Sequence, residues 1–198
     1  MGLDRRRIAV VTATSIEARA ARRELPDVRI YEAGMALAKR RNGFGDVVIS
    51  CGVAGCLGAD TPTGSVLIPR EVLRPDGSTL VCDAELVAAL AGAARSLGFD
   101  PLLAPLVTSS SLIRGPERAV WAARGYAGVD METGLLDAPR IAAVRVVLDT
   151  PQRELRADWL RPARAMLDPR NWAEARWLAR EAPRCARRAA AVVAAACS

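Results

Sequence analysis

The run Asp46-Val47-Val48-Ile49-Ser50-Cys51 is apolar almost throughout and ends at Gly52. A strand with one wet face alternates polar and apolar residues. A strand without alternation reads as buried on both faces, the condition of a parallel sheet covered by helices. Arg7–Ala13 and Ile141–Leu148 repeat the pattern near the start and late in the chain. Shorter strands are expected near Val28–Glu32, Ser65–Val72, Thr79–Cys82 and Leu103–Thr108. The segments between them carry helix signals. One helix starts at Ser15 as N-cap and runs to Glu24, stopped by Pro26. Another spans Ala84–Leu97 between Asp83 and Gly98, and a third Pro116–Gly125 with proline in its first turn. Trp159–Met166 and Trp172–Ala196 read as further helices, the second broken or kinked near Pro183. Strands alternating with helices imply a single-domain α/β protein, a three-layer α/β/α sandwich with a mixed central sheet. That domain takes in residues 1–198, with the C-terminal helices of 154–197 packed on it.

Composition narrows the functional classes. At 198 residues with 51% hydrophobic content, the chain can bury a substantial core. Its longest apolar runs, such as Ala189–Cys197, fall well short of a bilayer span. The basic N-terminus runs directly into a first strand and then Glu17, which reads as a cytoplasmic protein rather than one with a signal peptide. A net charge of +6 invites a nucleic-acid reading, but Lys39 is the only lysine, the arginines are scattered among acids and alanines, and aromatics are 4%. No nucleic-acid partner is therefore expected. The five cysteines form no CxxC pair and histidine is absent, which argues against a zinc site and removes any mechanism built on histidine. No metal and no organic cofactor are implied, and acid–base work falls to carboxylates.

The carboxylates that stand out lie in Gly128-Val129-Asp130-Met131-Glu132-Thr133-Gly134 and at the end of Arg145-Val146-Val147-Leu148-Asp149. An acid just past an apolar strand sits where open α/β sheets bind small molecules. Glu132 is suited to grip a diol and Asp149 to pass a proton. Glu17, early in the first helix, adds a third acid, though its place there also suits the helix dipole. Gly52-Val53-Ala54-Gly55 reads as a small-residue loop that lets a ligand approach the backbone.

Taken together, Glu17, the strand running into Gly52–Gly55 and the Asp130–Asp149 segment resemble the nucleoside phosphorylase/nucleosidase superfamily, which includes methylthioadenosine/adenosylhomocysteine nucleosidase and futalosine hydrolase. The likeness covers roughly residues 7 to 150; the late Trp- and Arg-rich helices look most like the hopanoid-associated phosphorylase branch, which acts on adenosylhopane. The resemblance implies cleavage of the N-glycosidic bond of an adenosine-type purine nucleoside by a homodimer. It implies Asp149 as the acid that protonates the base and Glu17 as the carboxylate that activates water. It gives Glu132 and Met131 the ribose, with Asp130 beside them, and Gly52 and Val53 the approach to base and sugar. The chemistry suits such a set. The sugar gains positive charge as the bond breaks, the base gains negative charge, and an acid and a carboxylate answer each. Asp149 must be protonated to act, so its pKa must be raised by apolar neighbours.

Alternatives stay open at this level. A phosphorylase would need an anion site; Ile49–Val53 carries no basic residue, but the backbone of Thr12–Ser15 at a helix N-terminus could supply one, with Arg19 or Arg114 assisting. The span from Glu132 to Arg145 has room for about one helical turn and contains Pro139, which opens the pocket or marks a non-catalytic, nucleoside-binding relative. Ala36 stands where the family often has glycine, and Leu148 where serine is common. Trp159, Trp172 and Trp177 are read as core anchors, in preference to a membrane contact.

Overall fold

A computed structural model describes residues 3–40, 42–160 and 165–198. Its centre is a mixed sheet of 9 strands: β1 (Ile8–Thr12), β2 (Arg29–Glu32), β3 (Val47–Cys56), β4 (Val66–Leu67), β5 (Glu71–Leu73), β6 (Thr79–Val81), β7 (Leu106–Thr108), β8 (Gly128–Asp130) and β9 (Arg140–Asp149). The longest hydrogen-bonded path runs β2-β1-β3-β8-β7-β5-β6, while β9 pairs with β3 and β4 off that path. Helices α1 (Ser15–Glu24), α2 (Ala84–Ser96), α3 (Pro116–Ala123) and α4 (Trp172–Ala196) flank it. The mixed, helix-flanked sheet expected from the sequence is therefore present.

The two continuous apolar runs find each other. β3 and β9 lie parallel from Val47↔Arg140 through Ala54↔Val147, then slip at a bulge to Gly55↔Asp149. Helices cover their side chains: α1, α2 and α4 contribute Ala21, Leu90, Ala189 and Val193 to one large cluster with Ile49, Val144 and Val146 of the sheet. Smaller apolar clusters form around Phe44 and Leu136, and around Leu57 and Ile113.

Several boundaries depart from expectation. The glycine–alanine stretch Gly52–Gly55 is not a loop but the second half of β3, because β9 continues to pair with it. Ser65–Val72 divides into β4 and β5, separated by Ile68-Pro69-Arg70, and Pro69 supplies no N–H to continue a ladder. Residues Gly128–Asp130 form a strand, inserted between β3 and β7, that short length hid from the sequence pattern. The N-cap of α1 is Thr14 rather than Ser15. α4 runs unbroken through Pro183. The helix expected at Trp159–Met166 is represented by a 3₁₀ turn, Ala157–Leu160; positions 161–164 of that expectation lie outside the described residues. Among the described residues, no helix is long and apolar enough to cross a membrane.

Candidate active site

Glu17 is placed by the helix it begins. Thr14 and Glu17 form a reciprocal capping box, in which the Thr14 hydroxyl accepts from Glu17 N and donates to Glu17 Oε2 at 2.9 Å. The same oxygen accepts from Ala13 N at 3.1 Å and Thr14 N at 2.8 Å. Oε1 reaches across to β3 and accepts from Val53 N at 2.8 Å. A carboxylate only 4% exposed is thus held by backbone donors from two elements.

The space for that carboxylate exists because residue 52 has no side chain. A Cβ on Gly52 would overlap Glu17 Oε1 and stand 2.7 Å from its Cδ and 2.8 Å from Arg145 Nη1. Arg145 rises from the middle of β9 and is 1% exposed. Its Nη2 pairs with Asp130 at 2.7 Å, approaches Glu132 at 3.6 Å, and donates to Ser50 Oγ at 2.7 Å and Thr133 Oγ1 at 2.9 Å. Its Nη1 is buried and has no partner among the described residues.

Asp130 closes the end of β8. Its Oδ1 accepts from Thr108 Oγ1 at 2.6 Å, and its Oδ2 accepts from Thr133 and Arg145. Both oxygens therefore hold the protein together. Glu132 is the N-cap of the single 3₁₀ turn Thr133–Leu135, the short element expected between Glu132 and Pro139. Its Oε1 accepts from Ala36 N at 3.1 Å. Ala36 adopts φ 51°, a left-handed conformation that favours glycine, so the departure noted in the sequence leaves a strained backbone beneath this contact. Burial pushes the Glu132 carboxyl up to about 7; Arg145 opposes the rise, and Asp130 and Glu17 add to it.

Asp149 ends β9 opposite Gly55, whose missing side chain makes room for it: a Cβ there would lie 3.1 Å from Oδ1 and 3.3 Å from Oδ2. Burial raises its pKa, and the neighbouring Arg118 counters that rise. Sequence reasoning missed Arg118 altogether. It comes from α3, is 3% exposed, and forms an ion pair with Asp149 Oδ2.

The four acids face one cavity of about 150 Å³. Its wall contains Glu17, Val53, Asp130, Met131, Glu132 and Asp149, with Met35, Leu112, Leu155 and Trp159 around them. Gly52 is not on that wall; it lies behind it, under the Glu17 carboxylate. The three tryptophans expected as anchors separate: Trp177 is buried in the main cluster, Trp172 is 54% exposed, and Trp159 lines the cavity.

The fold of this chain is shared by solved structures. A 5′-methylthioadenosine/S-adenosylhomocysteine nucleosidase from Neisseria meningitidis, in complex with methylthio-immucillin-A, superposes with a TM-score of 0.71 at 20% identity, covering 96% of this chain and 97% of that one. A nucleosidase of the same name from Colwellia psychrerythraea, in complex with adenine, gives 0.71 at 14% identity, covering 100% and 96%. Futalosine hydrolase from Helicobacter pylori gives 0.69 at 11%, covering 96% of each chain. The chain has the nucleosidase fold. No protein-family model matches the sequence, and no curated protein is similar to it in sequence. The nucleosidase fold spans the sheet and α4 alike, since nearly the whole chain is matched.

Proposed function

We propose that this protein is a purine nucleosidase that hydrolyses the N-glycosidic bond of an adenosine-type nucleoside. The observation that carries the reading is that Glu17 and Asp149, far apart in the chain, line one cavity together with Glu132 and Met131. Asp149, raised by burial, is the proton donor to the departing base. Glu132 accepts the ribose hydroxyls and Met131 packs on the sugar. Glu17, whose carboxylate lines the cavity, orients and deprotonates the attacking water. Val53, whose N–H holds Glu17, stands beside it on the cavity wall.

Water is favoured over phosphate as the nucleophile. The backbone N–H groups of Ala13 and Thr14, which could have cradled an anion, already donate to Glu17. Arg114 is engaged with Glu154 at 3.8 Å, and Arg19 is exposed on α1. The one-turn element after Glu132 is the specific feature favouring a second reading, a binding protein without turnover. Chromatographic assay of base released from a panel of purine nucleosides, with and without phosphate, separates these readings. The expected result is phosphate-independent release of adenine and free sugar, reduced about 10²–10⁴-fold by Asp149→Asn. Strict phosphate dependence overturns the choice of water, and release undiminished by Asp149→Asn overturns the assignment of the acid.

A further inference from the structure

We propose that Arg118 is a positioning residue that acts through Asp149, fixing which carboxyl oxygen faces the base and stabilising the carboxylate left when the proton departs. The inference rests on the nucleosidase reading for its catalytic meaning, but its geometry stands alone. The Arg118 guanidinium is anchored on three sides. Nη1 donates to the carbonyl of Cys56, the last residue of β3, at 2.6 Å. Nε donates to the Ile113 carbonyl at 3.1 Å and lies 3.3 Å from Glu154. Nη2 donates to Asp149 Oδ2. A long side chain held this way cannot swing to solvent without opening contacts to β3, the segment before α3 and the segment after β9.

Glu154 completes the arrangement from the other side. Its Oε1 also accepts from Gly115 N at 2.7 Å, at the start of α3, where no side chain caps the helix. Among the described residues, the charged groups around Asp149 are thus Arg118 from α3, Glu154 from the following segment, Arg114 beyond Glu154, and Glu17, Asp130 and Glu132 across the cavity. Arg118 is the cation in contact with Asp149 among the described residues. It also lines a small recess continuous in its residues with the main cavity, bounded by Gly55, Leu112, Val129, Met131 and Asp149. The guanidinium is therefore at the base end of the site, behind the acid.

The chemical consequence follows from where charge goes. When Asp149 gives its proton to the base, the O–H bond breaks, the new N–H bond forms, and the negative charge stays on the Asp149 carboxylate. In a buried site that charge is costly without a fixed cation beside it. Because Oδ2 is taken by Arg118, Oδ1 is left to meet the base. Without Arg118 the carboxyl would bind its proton more tightly and release it less readily.

The test uses the whole chain labelled with ¹³C at aspartate carboxyls, with the Asp149 signal assigned by its loss in Asp149→Asn. In Arg118→Met the Asp149 titration is expected to move up by about one pH unit or more, and the alkaline limb of kcat/KM for base release should move with it. Arg118→Lys should keep the titration within about half a unit of wild type while kcat falls, since charge remains but the forked geometry is lost. Glu154→Gln, which leaves both site groups in place, should give a smaller shift. A merely structural arginine would lower folded yield or kcat without moving the titration. An Asp149 titration unchanged in Arg118→Met overturns the proposal. If wild type releases no base from any purine nucleoside, the nucleosidase reading falls, while the carboxyl titration still decides the role of Arg118.

Discussion

Gly52→Ala probes the glycine where an added side chain meets the shortest contact among the described residues. Residue 52 lies within β3 and has no left-handed backbone requirement, so conformation alone would welcome alanine, by about 0.5–1 kcal/mol. The obstacle is the Glu17 carboxylate, whose Cδ would stand 2.7 Å from the new methyl, with Arg145 Nη1 at 2.8 Å. Glu17 can withdraw only by surrendering the Val53 N–H and weakening the bonds from Ala13 and Thr14. Hydrogen bonds to charged groups contribute roughly 1.5–3 kcal/mol each, so losing one and straining others exceeds the conformational gain. The expected net loss is about 2–4 kcal/mol, or roughly 5–15 °C in Tm for a chain of this size. Thermal unfolding followed by circular dichroism measures it, with Gly58→Ala, whose methyl meets nothing within 4 Å, as the control. A double-mutant cycle with Glu17→Ala sharpens the test: removing the carboxylate makes room, so the two changes should be less than additive by about 1–3 kcal/mol. A Gly52→Ala protein that melts within about 2 °C of wild type, or a strictly additive cycle, refutes the reasoning.

Two further outcomes follow from the Glu132 corner. Burial pushes its carboxyl up to about 7 from an ordinary 4.5, so the proton is bound more tightly by the folded state. The associated stability is present below pH about 4.5 and is lost as pH rises through 7, amounting at most to about 3 kcal/mol. Urea unfolding at pH 5 and pH 8 should therefore show wild type losing ground relative to Glu132→Gln at the higher pH, and a difference that does not change with pH contradicts the assignment. Ala36→Gly removes a left-handed non-glycine residue, worth about 1–2 kcal/mol of strain, against about 0.5–1 kcal/mol of added unfolded-state freedom. Its urea midpoint should be unchanged or slightly higher; a clear drop would show that the alanine methyl is needed there.

What could be seen in the chain beforehand depended on which signal each element carries. β3 and β9 announce themselves because strands buried on both faces cannot alternate, and that pattern survives without any knowledge of partners. The extension of β3 through Gly52–Cys56 was hidden, since small residues read as a loop when their real cause is two carboxylates pressing on the strand. β8 is only Gly128–Asp130, too short for periodicity to register. Glu132 and Asp149 stood out by residue type and neighbourhood, Glu17 and Met131 through the family resemblance, and all four line the cavity. Arg118 gave no such signal, being one arginine in an alanine-rich helix like several others. Arg145 could have been noticed: a cation inside an all-apolar run must be paired, and the acids at 130 and 132 are the partners it needs.

The shared strand has a consequence for how this pocket can vary. Val53 fixes Glu17 and Gly55 faces Asp149, so the two acids are held at points two residues apart on β3, roughly 7 Å at the usual rise of a strand. Moving either acid breaks its hold on β3: the Val53 N–H bond for Glu17, the register with β9 for Asp149. Divergence toward larger or smaller substrates is thereby channelled away from the reacting centre and into the rim, where Leu112, Leu155 and Trp159 are free of that ruler.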